Sequence, residues 1–175
     1  DSRQTVAAIA EQHRTVGVIF VGTPIGERSV VAQTYDLCNS LLQLTQALLA
    51  TELAVQLWVV TQGSQQPVET AAITTVAGGA LWGFARSIML EQPRWQSVCM
   101  NVDHLSAQMA EPLYQEIIAA LDNASRATQV AYVNETRYVA HLAPWQAPAA
   151  PTPSQPMRLQ LQAYGSLENL HWLPL

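Results

Sequence analysis

The residues that could do chemistry are few, and their spacing assembles no known reaction. Gly22-Thr23-Pro24-Ile25-Gly26 follows an apolar run and offers two glycines four apart. A phosphate loop works by bringing free backbone N–H groups to the anion at a helix N-terminus. Pro24 removes one such donor, and the spacing is not GxGxxG, so a plain strand-to-helix loop is the better reading. After the next apolar run only Gly63 is available. A short-chain reductase needs a tyrosine whose proton is poised by a lysine four residues on. The chain has no lysine anywhere, which removes that pair and the Gly-Lys-Ser/Thr of a P-loop as well. No GxSxG is present, and Ser87 falls inside an apolar helix, where its hydroxyl would back-bond to a carbonyl. Asp103-His104 could supply an oriented base, yet a loop or capping role suits the pair better. His13, His141 and His171 are scattered, Cys38 and Cys99 form no CxxC, and Glu91 and Glu111 have no partner carboxylate. No catalytic, cofactor-binding or metal-ligating residue is assigned.

Composition narrows the function further. The chain of 175 residues has length for one domain and a tail. Charged residues are 12% of it, against about 25% in ordinary soluble domains. A surface so poor in charge is expected to lie partly against neighbours. All eight cations are arginine, and the net charge of −5 argues against nucleic acid, which requires a basic face. No apolar run approaches the ~20 residues of a membrane span, and no signal-peptide pattern opens the chain. Two thiols without a pairing pattern suit a reducing cytoplasm. The chain is expected to be an excised part of something longer.

The elements that would position any site follow from periodicity. Residues 5–13 have helical spacing. Val16-Gly17-Val18-Ile19-Phe20-Val21 reads as a buried strand bounded by Gly22 and Pro24. Ser29 can cap a helix over 30–51 that aligns Val31, Tyr35, Cys38, Leu41, Leu42, Thr45 and Leu49. Ala54, Val55, Leu57, Val59 and Val60 supply a second strand. A polar loop follows at 63–67. Residues 69–91 predict a helix apolar nearly all round, ended by Pro93. Gly79 and Gly83 share one face of it, and their propensity cost of about 1 kcal/mol each predicts close approach to another backbone. Gly83→Leu is then expected to overpack. A third strand at 96–102, a helix at 107–122 with Leu113, Ile117, Ile118 and Leu121 inward, and a hairpin around Asn134-Glu135 complete the pattern.

Continuous apolar strands alternating with helices predict an α/β fold: a parallel sheet with helices on both faces and right-handed crossovers. Residues 143–156 hold five prolines and read as an extended Pro/Ala linker. Met157, Leu159 and Leu161 then alternate with polar residues, as in a strand with one buried face. This 157–175 tail belongs to a new unit. Trp58, Trp82 and Trp95 fall in or beside apolar elements, so packing explains them better than a base-stacking platform.

Leu57-Trp58-Val59-Val60-Thr61-Gln62-Gly63, the helix segment Gly79-Ala80-Leu81-Trp82-Gly83-Phe84-Ala85-Arg86 and Leu90-Glu91-Gln92-Pro93 resemble the structural, non-catalytic subdomain of ketoreductases from modular type I polyketide synthases. The hairpin segments Gln129-Val130-Ala131-Tyr132 and Arg137-Tyr138-Val139-Ala140 fit it too. The resemblance covers residues 5–142 and implies a truncated Rossmann-like subdomain over 1–142 whose first strand and helix are missing. That family has a glycine in the hairpin turn, where this chain has Asn134-Glu135-Thr136. In the family this half binds no cofactor and braces a second half that carries NADPH, Ser, Tyr and Lys. The positions expected to be structural or to lie at interfaces are Trp58, Gly79, Trp82, Gly83, Arg86, Glu91 and Pro93. The tail from Met157 and the segment from Gly165 to Leu170 resemble the start of the enoylreductase domain of the same synthases.

The resemblance implies a scaffold whose partners are the ketoreductase catalytic half and the enoylreductase of the same polypeptide, with NADPH held by those neighbours. A pseudo-ketoreductase, retained as architecture in a module that does not reduce, is the alternative. A free-standing NADPH-dependent reductase with an unusual site is a third reading, and the missing lysine weighs against it.

Overall fold

A computed structural model describes residues 2–23, 26, 28–106, 109–121, 127–145, 156–161, 163–165 and 169–175. The chain divides into two compact units, residues 1–141 and 142–175. In the first, helix α1 (Ser2–Gln12) leads into strand β1 (Thr15–Gly22). Helix α2 (Val30–Leu49) connects to β2 (Ala54–Gln62), and helix α3 (Val76–Glu91) to β3 (Gln96–Val102). Helix α4 (Ala110–Leu121) precedes the hairpin of β4 (Gln129–Val133) and β5 (Thr136–Val139). The sheet has the order β1-β2-β3-β4-β5. Its first four strands are parallel, and β5 returns antiparallel to β4. This is the Rossmann-like α/β fold, with helices on both faces.

Side-chain alternation along the strands divides the interior in two. On one face Leu57, Val59 and Cys99 pack with Leu41 and Leu48 of α2 and Leu81, Trp82, Ala85 and Ile88 of α3. On the other, Trp58, Val60, Val98, Met100, Val102 and Val130 pack with Leu113, Ile117 and Ala120 of α4. The α2, α3 and α4 crossovers each move the chain one strand in the same direction. Because α4 lies on the opposite face, its crossover has the opposite hand to the other two. Uniform right-handedness therefore does not hold. The cause is the pairing of apolar surfaces: the α4 stripe meets side chains that all point to the second face.

Three further expectations are corrected. β1 is an edge strand, not a buried one. Its Ile19 and Val21 are half exposed, because no described helix covers that side of it. α3 begins at Val76 rather than 69, because the N–H groups of Thr74 and Thr75 both donate to the Gly63 carbonyl and tie 74–75 to the strand end. The long α2 stripe is not one buried face. Leu41 and Thr45 turn inward, while Val31 (80% exposed), Tyr35 (70%), Leu42 and Leu49 face solvent. Ser29 caps α2 as expected, its Oγ accepting from Ala32 N at 3.3 Å.

In the second unit β6 (Met157–Leu161) pairs antiparallel with β7 (Leu170–Pro174), placing Leu159 opposite Trp172. The face expected to be buried is open: Leu159, Leu161 and Trp172 are all exposed. Pro24 and Ile25, residues 146–155 of the expected Pro/Ala linker and residues 166–168 lie outside the described residues. Among the described residues no helix is long and apolar enough to cross a membrane.

Candidate functional site

Open α/β sheets bind ligands outside the carboxyl ends of their parallel strands. Here that end is packed with a buried polar cluster. Thr61 and Asn101 are register partners on β2 and β3. The Asn101 Oδ1 accepts from Ser64 N (2.8 Å) and Ser64 Oγ (2.9 Å), and Thr61 Oγ1 lies 3.2 Å from it. Thr61 Oγ1 also lies 2.6 Å from Ser64 Oγ and accepts from Trp82 Nε1 at 2.9 Å. All four residues are buried. The two hydroxyls, the indole N–H and the Asn101 carbonyl oxygen satisfy one another, so the cluster stabilises the sheet end. Gly22, the last residue of β1, is filled from above, since a Cβ there would stand 2.2 Å from Leu81 Cδ1. Gly63, at φ 53°, lies against Thr74.

α3 has two contrasting faces. Gly78 points inward, where a Cβ would lie 2.7 Å from Ser64 Cβ. This is the helix glycine that close packing requires. At Gly79 and Gly83 a Cβ would meet nothing within 4 Å, so no backbone of this chain approaches that face. They lie on the outward stripe with Val76, Ala80, Ser87 and Leu90, at steps of three and four residues. α2 packs beside α3 and turns Val31, Tyr35, Leu42 and Leu49 outward. Two adjacent helices thus present largely apolar stripes, with Arg86 and Glu91 exposed at the margins of the α3 stripe.

Residues 1–142 match the model of the family described as "Polyketide synthase extender module SpnB, Rossmann fold domain". The chain belongs to this family. A solved structure described as "Adenylation, ketoreductase, and pseudo Asub multidomain structure of a keto acid-selecting NRPS module" has a similar fold. The TM-score is 0.63 at 18% identity, over 82% of this chain and 12% of that one. No curated protein sequence matches the chain.

In this polyketide synthase Rossmann domain the remaining singled-out residues fall in different places. Trp58 is buried on the α4 side of the sheet, its ring against Gly17. Trp82 is buried on the other side, in the polar cluster. Arg86 is exposed and donates to Gln129 Oε1 at 2.7 Å. Glu91 is the exposed last residue of α3, and Pro93 follows the Gln92 cap, whose N–H donates to Ile88 O. The structure brings Trp82 and Arg86 to one pocket, and sets Gly79 and Gly83 on one open stripe.

Two polar groups anchor the hairpin. Glu116, buried on α4, accepts from Arg137 Nε and Nη2 (both 2.7 Å) and from Tyr132 Oη (3.0 Å). The Arg137 hydrogen bonds hold the Glu116 carboxyl below its ordinary range, against the effect of burial. Burial and the neighbouring Glu116 push the Tyr132 phenol up to about 12. Asp103 accepts from His104 Nδ1 and N and from Asn134 N, each at 2.8 Å. Burial alone would raise the Asp103 carboxyl, but these donors lower it. Asp103 therefore ties the hairpin turn to the end of β3, which is the loop role expected of it. Both thiols are free, and burial pushes Cys99 up to about 12, which makes it inert. Among the described residues no group of three His, Cys, Asp or Glu could hold a metal.

Sequence reading missed the Thr61–Ser64–Asn101 cluster and Gly78. A signal for the cluster existed: one polar residue interrupts each of two neighbouring apolar strands near its carboxyl end.

Proposed function

We propose that this domain is a non-catalytic scaffold in the reducing region of a polyketide synthase, bracing a ketoreductase catalytic half and positioning an enoylreductase on the same polypeptide. The observation that carries this reading is the contrast between the two surfaces. The sheet end where a reductase would hold its cofactor is filled by Thr61, Ser64, Asn101 and Trp82. The outer faces of α2 and α3 turn Val31, Tyr35, Leu42, Val76 and Leu90 to the outside, beside the open Gly79 and Gly83. Burying Tyr35, Leu42 and Leu90 against a neighbour would contribute roughly 25 cal/mol per Å2 of apolar area removed from water. Small residues at Gly79, Ala80 and Gly83 would let a partner helix approach closely. NADPH then belongs to the neighbouring domains, and the setting is the cytoplasm.

The test is NADPH binding and β-ketoacyl thioester reduction by this chain alone, and by the parent region that contains it. The expected result is no binding by the chain alone and reduction by the parent. Charging the helix face with Leu42→Glu and Gly83→Arg should abolish reduction in the parent while the isolated variant stays folded. NADPH binding by the chain alone would overturn the proposal.

A further inference from the structure

α2 and α3 cover their face of the sheet only as far as β3. Val130 and Tyr132 point to the α4 side, so Gln129 and Ala131 point to the α3 side, with Tyr138 opposite Ala131 in the hairpin. The strip of β4 and β5 beyond α3 forms the floor of a pocket of about 290 Å3. Its walls are Trp82 and Arg86 of α3 and the loop Gln65-Gln66-Pro67.

The polar character of this pocket is one-sided. Arg86 brings a full positive charge, and its only hydrogen-bond partner among the described residues is the neutral Gln129 Oε1. Thirteen acidic residues outnumber eight arginines in the chain, yet no described carboxylate lines this pocket. The contact with Gln129 fixes one edge of the guanidinium and leaves the rest of its planar fork to donate elsewhere. That fork matches the two oxygens of a carboxylate. The volume is at the lower limit of pockets that take drug-sized ligands, about 300–1,000 Å3, and suits a single side chain.

We propose that this pocket is a docking site for an acidic side chain, Asp or Glu, presented by another segment of the synthase and held by Arg86. The inference rests on the scaffold reading and adds a second contact to it, one that is charge-selective and separate from the apolar stripes of α2 and α3. Charge complementarity of this kind sets register and orientation between docked surfaces. Arg86 acts here as a positioning residue.

The test compares hydrogen–deuterium exchange in the parent synthase region with that in this chain alone. Peptides over 64–68 and 136–141 should exchange at least tenfold more slowly in the parent. Arg86→Glu should remove that protection, Arg86→Lys should retain part of it, and 0.5 M NaCl should weaken it. Equal exchange in parent and free chain, or protection unchanged by Arg86→Glu, overturns the proposal. Titration of the free chain with succinate, read on the Arg86 side-chain NMR signal, separates the two sources of a carboxylate. Saturation at micromolar succinate would assign the site to a free small molecule and overturn the side-chain proposal. Peptides over 31–49 and 76–90 report the scaffold reading independently. If they are protected and the pocket is not, the pocket inference falls alone; if neither is, the scaffold reading falls with it.

Discussion

Trp82 Nε1 donates to Thr61 Oγ1 at 2.9 Å, and this bond fastens α3 to the carboxyl end of β2. The same hydroxyl meets Ser64 and Asn101, so one oxygen serves a helix, a strand and a loop. Thr61→Val keeps the shape and removes the oxygen. It leaves a buried indole N–H unpaired, at a cost of about 1–3 kcal/mol. Urea unfolding should show a lower midpoint with an unchanged slope.

Gly78 and Gly83 should respond oppositely to alanine. Gly78→Ala places a methyl against Ser64, which is held by Asn101, and overpacking of this kind costs about 1–3 kcal/mol. Gly83→Ala enters open space and should stabilise the isolated chain by up to about 1 kcal/mol through helix propensity. Thermal melts of the two variants check the pair, and equal shifts of the same sign would refute the assigned faces.

The hairpin turn holds both Asn134 (φ 47°) and Glu135 (φ 65°) in the left-handed region. Asparagine tolerates this well and glutamate does not. Glu135→Gly should raise stability by about 1 kcal/mol, since Asp103 still accepts from Asn134 N. For a chain of this length that corresponds to a rise in Tm of about 2–4 °C.

Glu116 makes stability depend on pH in a fixed direction. Its folded carboxyl is lowered from the ordinary value of 4.5, chiefly by Arg137. The unfolded state therefore takes up the proton first as pH falls. The stabilisation is complete above about 4.5 and is lost as pH drops through the lower folded value. Glu116→Gln removes the charge at every pH. It should cost about 1–3 kcal/mol at pH 7 and flatten the stability profile between pH 5 and 3, as read by denaturant titrations.

Much of this architecture is legible in the chain because strand hydrophobicity is continuous and the turn chemistry is explicit. Ser29 and Pro93 mark helix limits, and Asn134-Glu135 marks the hairpin. Other features depend on partners distant in sequence. The start of α3 is set by the Gly63 carbonyl, which a helix-favouring run at 69–75 does not reveal. The hand of the α4 crossover depends on which sheet face Val98, Met100 and Val130 share, and periodicity along one strand cannot choose between faces. The same limit explains the glycines. Residues 78, 79 and 83 are equivalent as propensity costs, and only the position of Ser64 distinguishes the first from the others. In the candidate site, Trp82 and Arg86 come from a recognisable segment, while Gln65, Gln66, Gln129 and Tyr138 are joined to them only by the fold.

The separation of the interior by the sheet gives the domain two cores of unequal cover. α1, α2 and α3 roof one, whereas among the described residues α4 alone roofs the other. Fluctuations should follow that asymmetry. Lifting α4 would breach the Glu116–Arg137 clasp and bare Val98, Met100 and Val130 while the opposite core stays closed. Proteases acting on the native domain should therefore make their first cuts around α4 and the hairpin, and leave a resistant body of β1, α2, β2 and α3.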